Sequence, residues 1–268
     1  MVSSSNRRII PFESCFNFRD LGGYVGMHNR PVRWGRVFRS MQPIYMTEAD
    51  IEKARELNIR LIIDLRGSSY ETSGPLGEPP ARRVPVGPNF RRLMDDLPEE
   101  VKAFIAAPPE DALPHLLATY ASAFAEAVKA MASDFDANVL FHCRLGKDRT
   151  GVFAALLLKL LRVSDGDVIE DYMLTGEVEL QMKRLLDRHE DTLGVRAPRV
   201  AREPVQQGAI ENLLERLESQ YGTAYNYFLR HGVSPVDLNA LIENLLERES
   251  RDVSTRRSDL PVGTLSQN

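Results

Sequence analysis

Short apolar runs that end in polar loops form the strongest pattern in the sequence. Residues 60–65 and 138–142 are too short for helices and consist mainly of large apolar side chains, which is typical of strands buried on both faces. A third short run lies at 83–86, and an apolar helix is predicted at about 150–161. Strands alternating with helices predict an α/β fold, with a central, mainly parallel twisted sheet flanked by helices.

Turn and capping signals supply the elements between these runs. Residues 24–40 predict a hairpin that turns at His28 and Asn29. Thr47 and Asp50 resemble a capping box, which opens a helix ending near residue 58. Proline and serine signals predict three more helices, one beginning near 98, one at about 115–131 after the break at Pro108 and Pro109, and one opening at Ser164.

The last third of the chain is predicted to be helical. Apolar residues from Ile210 to Leu217 follow helical spacing, and Ser234 and Pro235 open a further leucine-rich helix. This leucine spacing suits either completion of the core or a surface for a second copy or partner, so the oligomeric state stays open. The expected organisation is one domain over 1–247, with a core at about 10–175, a helical part at about 176–247 and a flexible tail at 248–268.

Composition and charge exclude several classes of function. The 268 residues carry 34 Lys and Arg against 38 Asp and Glu, so there is no overall basic field to attract nucleic acid. The most apolar stretch, 152–161, is interrupted by Lys159 and is too short to span a bilayer. Without an N-terminal signal segment, we expect a cytoplasmic protein, with export by a route that needs no such signal left open. The five histidines show no ligand spacing, so neither a metal nor another cofactor is expected.

The polar loop after the run at 138–142 carries the candidate chemistry. A turn that ends at a helix N-terminus directs backbone N–H groups and the helix dipole into one concavity, which binds phosphate. Cys143 stands at the start of this loop and Arg149 at its end. The same environment lowers the pKa of a thiol from its ordinary value of about 8.5, so the sulfur can attack phosphorus as a thiolate. The residues predicted to bind the phosphate are Arg144, Leu145, Gly146, Lys147, Asp148 and Arg149.

Two further features belong to this hypothesis. The planar guanidinium of Arg149 can hold two phosphoryl oxygens at once, where charge develops in the transition state. Thr150 can donate a hydrogen bond to the sulfur and help it leave in a second step. The alternatives are an inert buried cysteine, which the basic loop argues against, and a protein that binds phosphate without turnover.

The loop from His142 to Gly151 resembles the signature loop of cysteine-dependent tyrosine and dual-specificity phosphatases. Together with residues 17–23 and 64–66, it is most similar to the atypical tyrosine phosphatases of bacteria and fungi. The resemblance implies the cysteine-phosphatase fold and a protein-tyrosine phosphatase that works through a phosphocysteine intermediate. Its expected substrates are phosphotyrosine proteins, with dual-specificity or phosphoinositide activity as a further possibility. A rhodanese-like sulfurtransferase, which also uses a loop cysteine, fits the loop less well.

The resemblance also assigns roles to individual residues. Cys143 would be the nucleophile and Arg149 the transition-state clamp. Many tyrosine phosphatases take their general acid from a Trp-Pro-Asp string, but the single tryptophan, Trp34, precedes Gly35. Asp148 is therefore the first choice for the acid. Asp64 is the second, with a structural acid that pairs Arg66 or a loop N–H as its alternative.

Other residues near the motifs are expected to have supporting roles. His142 would hydrogen-bond the loop, and Asn17, Arg19 and Asp20 would brace it. Arg144 and Lys147 add cations that suit multiply phosphorylated rings or simply favour one phosphate. Residues 88–115 form either a lid over the pocket or a surface helix. Cys15 is either a plain buried cysteine or a partner for Cys143 under oxidation.

Overall fold

The fold is built on a five-stranded sheet in which the strand before the cysteine loop is central. The computed structural model describes residues 7–68, 73–77, 79–88, 99–193 and 204–248. The strands are β1 Arg19–Asp20, β2 Val37–Ser40, β3 Ile59–Asp64, β4 Arg82–Pro85 and β5 Asn138–His142. Their order across the sheet is β1-β2-β5-β3-β4, and only the β1–β2 pair is antiparallel. This confirms the predicted α/β fold with a mainly parallel sheet.

Helices occupy most of the remaining described residues. In chain order they are α1 Glu48–Arg55, α2 Glu99–Ala106, α3 Pro109–Thr119, α4 Ala121–Ala132, α5 Asp148–Leu160, α6 Asp165–Met173, α7 Glu179–Leu193, α8 Gln207–Tyr221, α9 Ala224–Arg230 and α10 Pro235–Leu245. Short 3₁₀ turns lie at Met27–Asn29, Pro43–Tyr45, Pro75–Gly77 and Leu174–Val178. The predicted starts of α1, α2, α5, α6 and α10 agree with the structure to within a few residues, and the apolar spacing at 210–217 lies within α8. In the described ranges, no helix is long and apolar enough to cross a membrane.

The apolar residues of the strands alternate between two cores, one on each face of the sheet. On β5, Val139 and Phe141 enter the larger core, while Leu140 enters the smaller one. The larger core is completed by side chains of α3 to α6 and α8 to α10, and the smaller one by the N-terminal segment, α1 and α7. Both faces of β5 are therefore covered by apolar side chains. This packing fixes the position in the sheet at which the strand ends and the loop begins.

The capping box predicted at Thr47 is present. The Thr47 hydroxyl accepts a hydrogen bond from Asp50 N at 3.2 Å, and the Asp50 carboxylate accepts from Thr47 N at 3.3 Å. The same carboxylate accepts from the backbone N–H groups of Glu13 and Ser14 at 2.7 and 2.9 Å. One acidic side chain thus opens α1 and holds the N-terminal segment against the smaller core.

The hairpin predicted at 24–40 belongs to a larger set of paired strands in the structure. Its turn lies at His28 and Asn29, which have φ values of 58° and 57°. Val25 and Pro31 form an isolated antiparallel bridge beside the turn. The residues at 37–40, however, pair with Arg19–Asp20, which the prediction left outside the hairpin, and their other edge pairs in parallel with β5. A strand of only two residues carries no detectable sequence pattern.

The segment predicted as one long helix at about 115–131 is divided. Tyr120, with φ −100° and ψ 8°, ends α3 and begins α4. Of the lid candidate 88–115, residues 89–98 lie outside the described residues, while Ala112 and Leu113 on α3 are buried in the larger core. The α3 part of that candidate is therefore a core helix. The predicted tail, apart from Arg248, also lies outside the described residues.

Candidate active site

Three strand ends meet beneath the loop that follows β5. His142, the last residue of β5, pairs with Ser40 at the end of β2 and with Asp64 at the end of β3. The chain then runs through residues 143–147 into α5, which begins at Asp148. We call residues 143–149 the signature loop. α/β proteins form their binding sites at the carboxyl edge of the parallel sheet, and the sequence predicts the loop at that edge.

Gly146 allows the signature loop to pack directly on β2. Its φ is +67°, and a Cβ atom at this position would lie 2.4 Å from the carbonyl oxygen of Ser40. Any other residue would have both an unfavourable backbone conformation and a clash with backbone. The loop is therefore held close to the sheet at its midpoint.

The carbonyl oxygens of the signature loop are bound by donors from the N-terminal part of the chain. The side-chain amide of Asn17 donates to the carbonyls of Leu145 and Gly146 at 3.2 and 2.9 Å, and Gln42 N donates to the carbonyl of Arg144 at 3.1 Å. Carbonyls bound in this way do not need to point into the loop's concavity, where they would repel an anion.

The two residues at the ends of the loop have different surroundings. Cys143 is a free cysteine, and only 3% of its surface is exposed. The guanidinium of Arg149 donates from Nη1 to the carbonyl of Leu65 at 3.1 Å and contacts the hydroxyl of Tyr120 at 3.4 Å. Tyr120 is fully buried at the α3–α4 junction. The head of Arg149 is thus anchored by the residue after β3 and by an aromatic ring that no motif indicates.

Asp148 lies at the first turn of α5, beside two cations. Its side chain is 18% exposed, and one carboxylate oxygen is 3.8 Å from Lys147 Nζ. Burial raises the pKa of Asp148, although Lys147 and Arg149 act in the opposite direction. A carboxyl group that keeps its proton to a higher pH is suited to protonate a leaving group.

Asp64 has the surroundings of a structural acid. It is fully buried, and its carboxylate accepts hydrogen bonds from Arg66 and Arg83, each at 2.7 Å, and from the Ser73 hydroxyl at 2.9 Å. Burial by itself raises the pKa of this group, but His142, Arg66 and Arg83 outweigh burial and hold it well below its usual range. An ionised carboxylate holds no proton to give, so these contacts favour the structural alternative for Asp64 over the role of general acid.

His142 connects Asp64's surroundings to the signature loop. Its Nδ1 lies 3.1 Å from the carbonyl oxygen of Cys143, and its Nε2 lies 2.9 Å from the Ser73 hydroxyl. Burial lowers the pKa of His142 to about 4, so the ring is neutral at neutral pH. Each ring nitrogen is thus within hydrogen-bond distance of one partner, the Cys143 carbonyl on the loop and the Ser73 hydroxyl beside Asp64.

A sequence model of the tyrosine phosphatase family matches residues 10–247, which include the whole site. The chain belongs to the tyrosine phosphatase family. This confirms the family that the loop resembles, and with it a phosphomonoester hydrolase that uses a cysteine nucleophile and a phosphocysteine intermediate.

Two relatives support the same assignment over most of their lengths. A protein of Cupriavidus necator named "Putative tyrosine-protein phosphatase" is 27% identical over 246 residues, covering 84% of this chain and 85% of that protein. A protein of Nostoc commune named "Tyrosine-protein phosphatase" is 29% identical over 208 residues, covering 73% of this chain and 69% of that protein.

Residues of the motif at 17–23 in this tyrosine phosphatase differ in what they contact. Asn17 reaches the signature loop directly, whereas Arg19 donates to the Asn17 side chain and to Asp171 on α6. Among the described residues, the hydrogen bonds of the Asp20 side chain go to backbone outside the signature loop. Its carboxylate accepts from the backbone N–H groups of Gly22 and Gly35, at 2.8 and 2.6 Å, and so stabilises the hairpin.

The remaining predicted site residues are partly or fully enclosed. Lys147 and Leu145 are buried, and Arg144 is half-buried. Thr150 Oγ1 is buried and has no hydrogen-bond partner among the described residues. Cys15 is buried in the smaller core with its thiol toward the carbonyl of Met41, and burial raises its pKa well above the ordinary value. Within the described ranges, no three His, Cys, Asp or Glu side chains form a group that could hold a metal ion.

Sequence reasoning missed the phosphatase residues that reach the loop from other elements. No sequence feature marks Tyr120 as a site residue, because it is one aromatic residue in an apolar segment. Arg39 does carry a sequence signal, because it is a charged residue inside the short strand β2. It is fully buried behind the loop. Asp171, its partner on α6, is equally buried.

Proposed function

We propose that this enzyme removes phosphate from phosphotyrosine in proteins, with Cys143 as the nucleophile. The observation that supports this most directly is the signature loop itself, which begins with a nearly buried free cysteine and ends with an anchored arginine at the N-terminus of α5. In the first step, the thiolate forms a bond to phosphorus while the bond from phosphorus to the tyrosine oxygen breaks. In the second, water attacks phosphorus and the thiolate leaves.

Binding of the phosphate dianion follows from the position of the loop. Backbone N–H groups at the first turn of α5 have no partners within the helix and carry the positive end of its dipole. Arg149 supplies the full positive charge, and its planar group matches two phosphoryl oxygens. Because Leu65 and Tyr120 already hold the guanidinium, the clamp requires little reorganisation when charge develops in the transition state.

Asp148 is the proposed general acid. The tyrosine oxygen leaves as a phenolate with a conjugate-acid pKa of about 10, so it needs a proton as the bond to phosphorus breaks. The carboxyl of Asp148 donates that proton. In the second step, the resulting carboxylate accepts a proton from the attacking water, which restores the acid.

Phosphotyrosine fits the charges of the site better than a multiply phosphorylated inositide does. Of the two extra cations, Lys147 is buried and lies beside Asp148, so its charge acts inside the site on one phosphate. Arg144 is half-buried on the loop. A ring with several phosphates requires several cations facing the ligand. Phosphoinositides are therefore the alternative substrate, together with a phosphate-binding role without turnover.

We further propose that residues 1–247 act as one catalytic domain. The C-terminal helices contact the core directly, since the Tyr227 hydroxyl on α9 donates to the Leu117 carbonyl on α3 at 2.7 Å, and Val32 bridges to Leu246. A reducing compartment such as the cytoplasm suits the enzyme, because oxidation removes the thiolate on which the reaction depends.

The substrate assignment is tested by phosphate release from a panel of phosphotyrosine peptides, phosphothreonine peptides and short-chain phosphoinositides, in the presence of a metal chelator. We expect turnover of phosphotyrosine with the highest kcat/KM. A higher kcat/KM on phosphoinositides would replace phosphotyrosine as the substrate. Binding of phosphopeptide without release from any substrate would leave only the binding role.

Replacing Asp148 with asparagine is expected to lower kcat on phosphotyrosine by about 10²–10⁴-fold, because the amide cannot donate the proton. In the unchanged enzyme, activity should fall as the pH rises through the raised pKa of Asp148, and this alkaline decline should disappear in the variant. The measurement is a pH profile of kcat. The loss should be much smaller on 4-nitrophenyl phosphate, whose leaving group is a weaker base.

A matched control for this variant is Asp165→Asn, which alters an exposed aspartate at the start of α6 that pairs with Lys159. Its pH profile should be that of the unchanged enzyme. An Asp148→Asn profile with an intact alkaline decline would assign the acid to another group.

A further inference from the structure

A fully buried group of three charges lies behind the signature loop. Arg39 on β2 and Arg19 on β1 both bind the carboxylate of Asp171 on α6, with Arg39 Nη1 at 2.5 Å and Arg19 Nε at 2.9 Å. All three side chains are at most 2% exposed. The group joins the antiparallel edge of the sheet to the helix that follows α5.

Arg39 connects this group to the signature loop through one carbonyl. Its Nη2 donates to the carbonyl oxygen of Gly146 at 2.8 Å. A side chain at Gly146 would clash with the backbone of Ser40, the next residue on β2, so the loop and the strand lie in close backbone contact here. Arg39 and the Asn17 amide therefore together orient the peptide between Gly146 and Lys147, whose N–H belongs to the anion-binding turn.

The group also carries more positive than negative charge. Two guanidinium groups share one carboxylate, and although burial lowers the pKa of Arg39 to about 10, it remains protonated at neutral pH. The Nε of Arg39 is buried and has no hydrogen-bond partner among the described residues. A surplus charge in the interior is costly unless an opposite charge lies near it. The group therefore places its surplus positive charge behind the loop that is proposed to bind an anion, and that anion would supply the opposite charge.

We propose that Arg39, oriented by Asp171, is a positioning residue of the phosphatase site: it holds the Gly146 carbonyl out of the phosphate pocket and balances the negative charge of the reacting groups from behind. This inference rests on the proposed function. It differs from the role of Arg149, because Arg39 touches the loop and not the substrate. Its effect should appear in the transition state more than in ground-state binding, since small displacements of a reacting geometry lower rates steeply.

The test compares Arg39→Met and Arg39→Lys with Arg30→Met. Arg30 is also buried and ion-paired, but it binds Glu243 and the Glu247 carbonyl at the C-terminal end of α10. We expect Arg39→Met to lower kcat on phosphotyrosine peptide by about 10²-fold, with a smaller change in KM. Inhibition by orthovanadate should weaken by a similar factor. Lysine keeps the charge but cannot bridge both Gly146 and Asp171, so Arg39→Lys should recover part of both losses.

The outcomes distinguish a failure of this inference from a failure of the proposed function. A folded Arg39→Met protein, judged by circular dichroism and cooperative unfolding, that keeps the original kcat and orthovanadate inhibition would overturn the inference, even if it unfolds at a lower temperature. If Arg39→Met does not fold, Arg39→Lys decides by the same two measurements. If the unchanged enzyme and Arg30→Met release no phosphate from any substrate, the proposed function fails instead.

Discussion

Serine in place of Cys143 is expected to reduce phosphate release by at least about 10³-fold, because a hydroxyl at neutral pH is not ionised and attacks phosphorus far more slowly than a thiolate. The substitution exchanges one atom, sulfur for the smaller oxygen, and changes no backbone group, so the anion-binding turn should remain. Inorganic phosphate and orthovanadate should therefore still bind. The measurements are steady-state phosphate release and stabilisation of the protein by phosphate in thermal unfolding.

Cys15→Ala is the matched control for this variant. It removes the other cysteine, which is buried in the smaller core and contacts the Met41 carbonyl rather than the phosphate pocket. Its kcat should be that of the unchanged enzyme, with lower thermal stability from the lost packing. If Cys143→Ser keeps full activity, the phosphocysteine step does not occur at this residue.

The change of Arg149 to lysine is expected to lower kcat by about 10³-fold or more, since an arginine that neutralises transition-state charge contributes on this scale in phosphoryl transfer. Lysine keeps the charge, but it cannot hold two phosphoryl oxygens while it donates to the Leu65 carbonyl. Inhibition by orthovanadate should weaken strongly, while KM for phosphotyrosine changes less.

Arg216→Lys, on the exposed face of α8, controls for the general effect of such a substitution. It should leave kcat and orthovanadate inhibition unchanged. Equal losses of kcat in both variants would show that the site does not depend on the geometry of the Arg149 guanidinium.

The parts of the fold that the sequence predicts well are those with local causes. The strand at 138–142 is a contiguous apolar run, and the helix at Thr47 begins with a capping box only four residues long. The division at Tyr120 has no such cause, because neither glycine nor proline marks it. The pairing of Arg19–Asp20 with Val37–Ser40 depends on the assembled sheet, since two residues are too few for a periodic pattern.

In the candidate site too, the residues that the sequence predicts well are those whose roles have local causes. Cys143 and Arg149 are found because the loop that holds them is continuous in sequence and lies between a strand and a helix. Asp64 was assigned two roles from sequence, and the choice depends on Arg83, which lies on another strand and carries no motif. Arg39 could not be given a role at all, because its partners Gly146 and Asp171 come from elements far along the chain.

The sheet order has a consequence for how the enzyme is made. β5 is the last of the five strands in the sequence, yet it lies between β2 and β3. During synthesis, β2 and β3 are complete while the strand that separates them is still missing, so two unpaired strand edges remain exposed to aggregation. Pairs such as Val37 with Val139 are distant in sequence, and such contacts close slowly. The loop that carries the nucleophile is therefore positioned only when β5 pairs with β2 and β3. A nascent chain halted before that point has no phosphatase site.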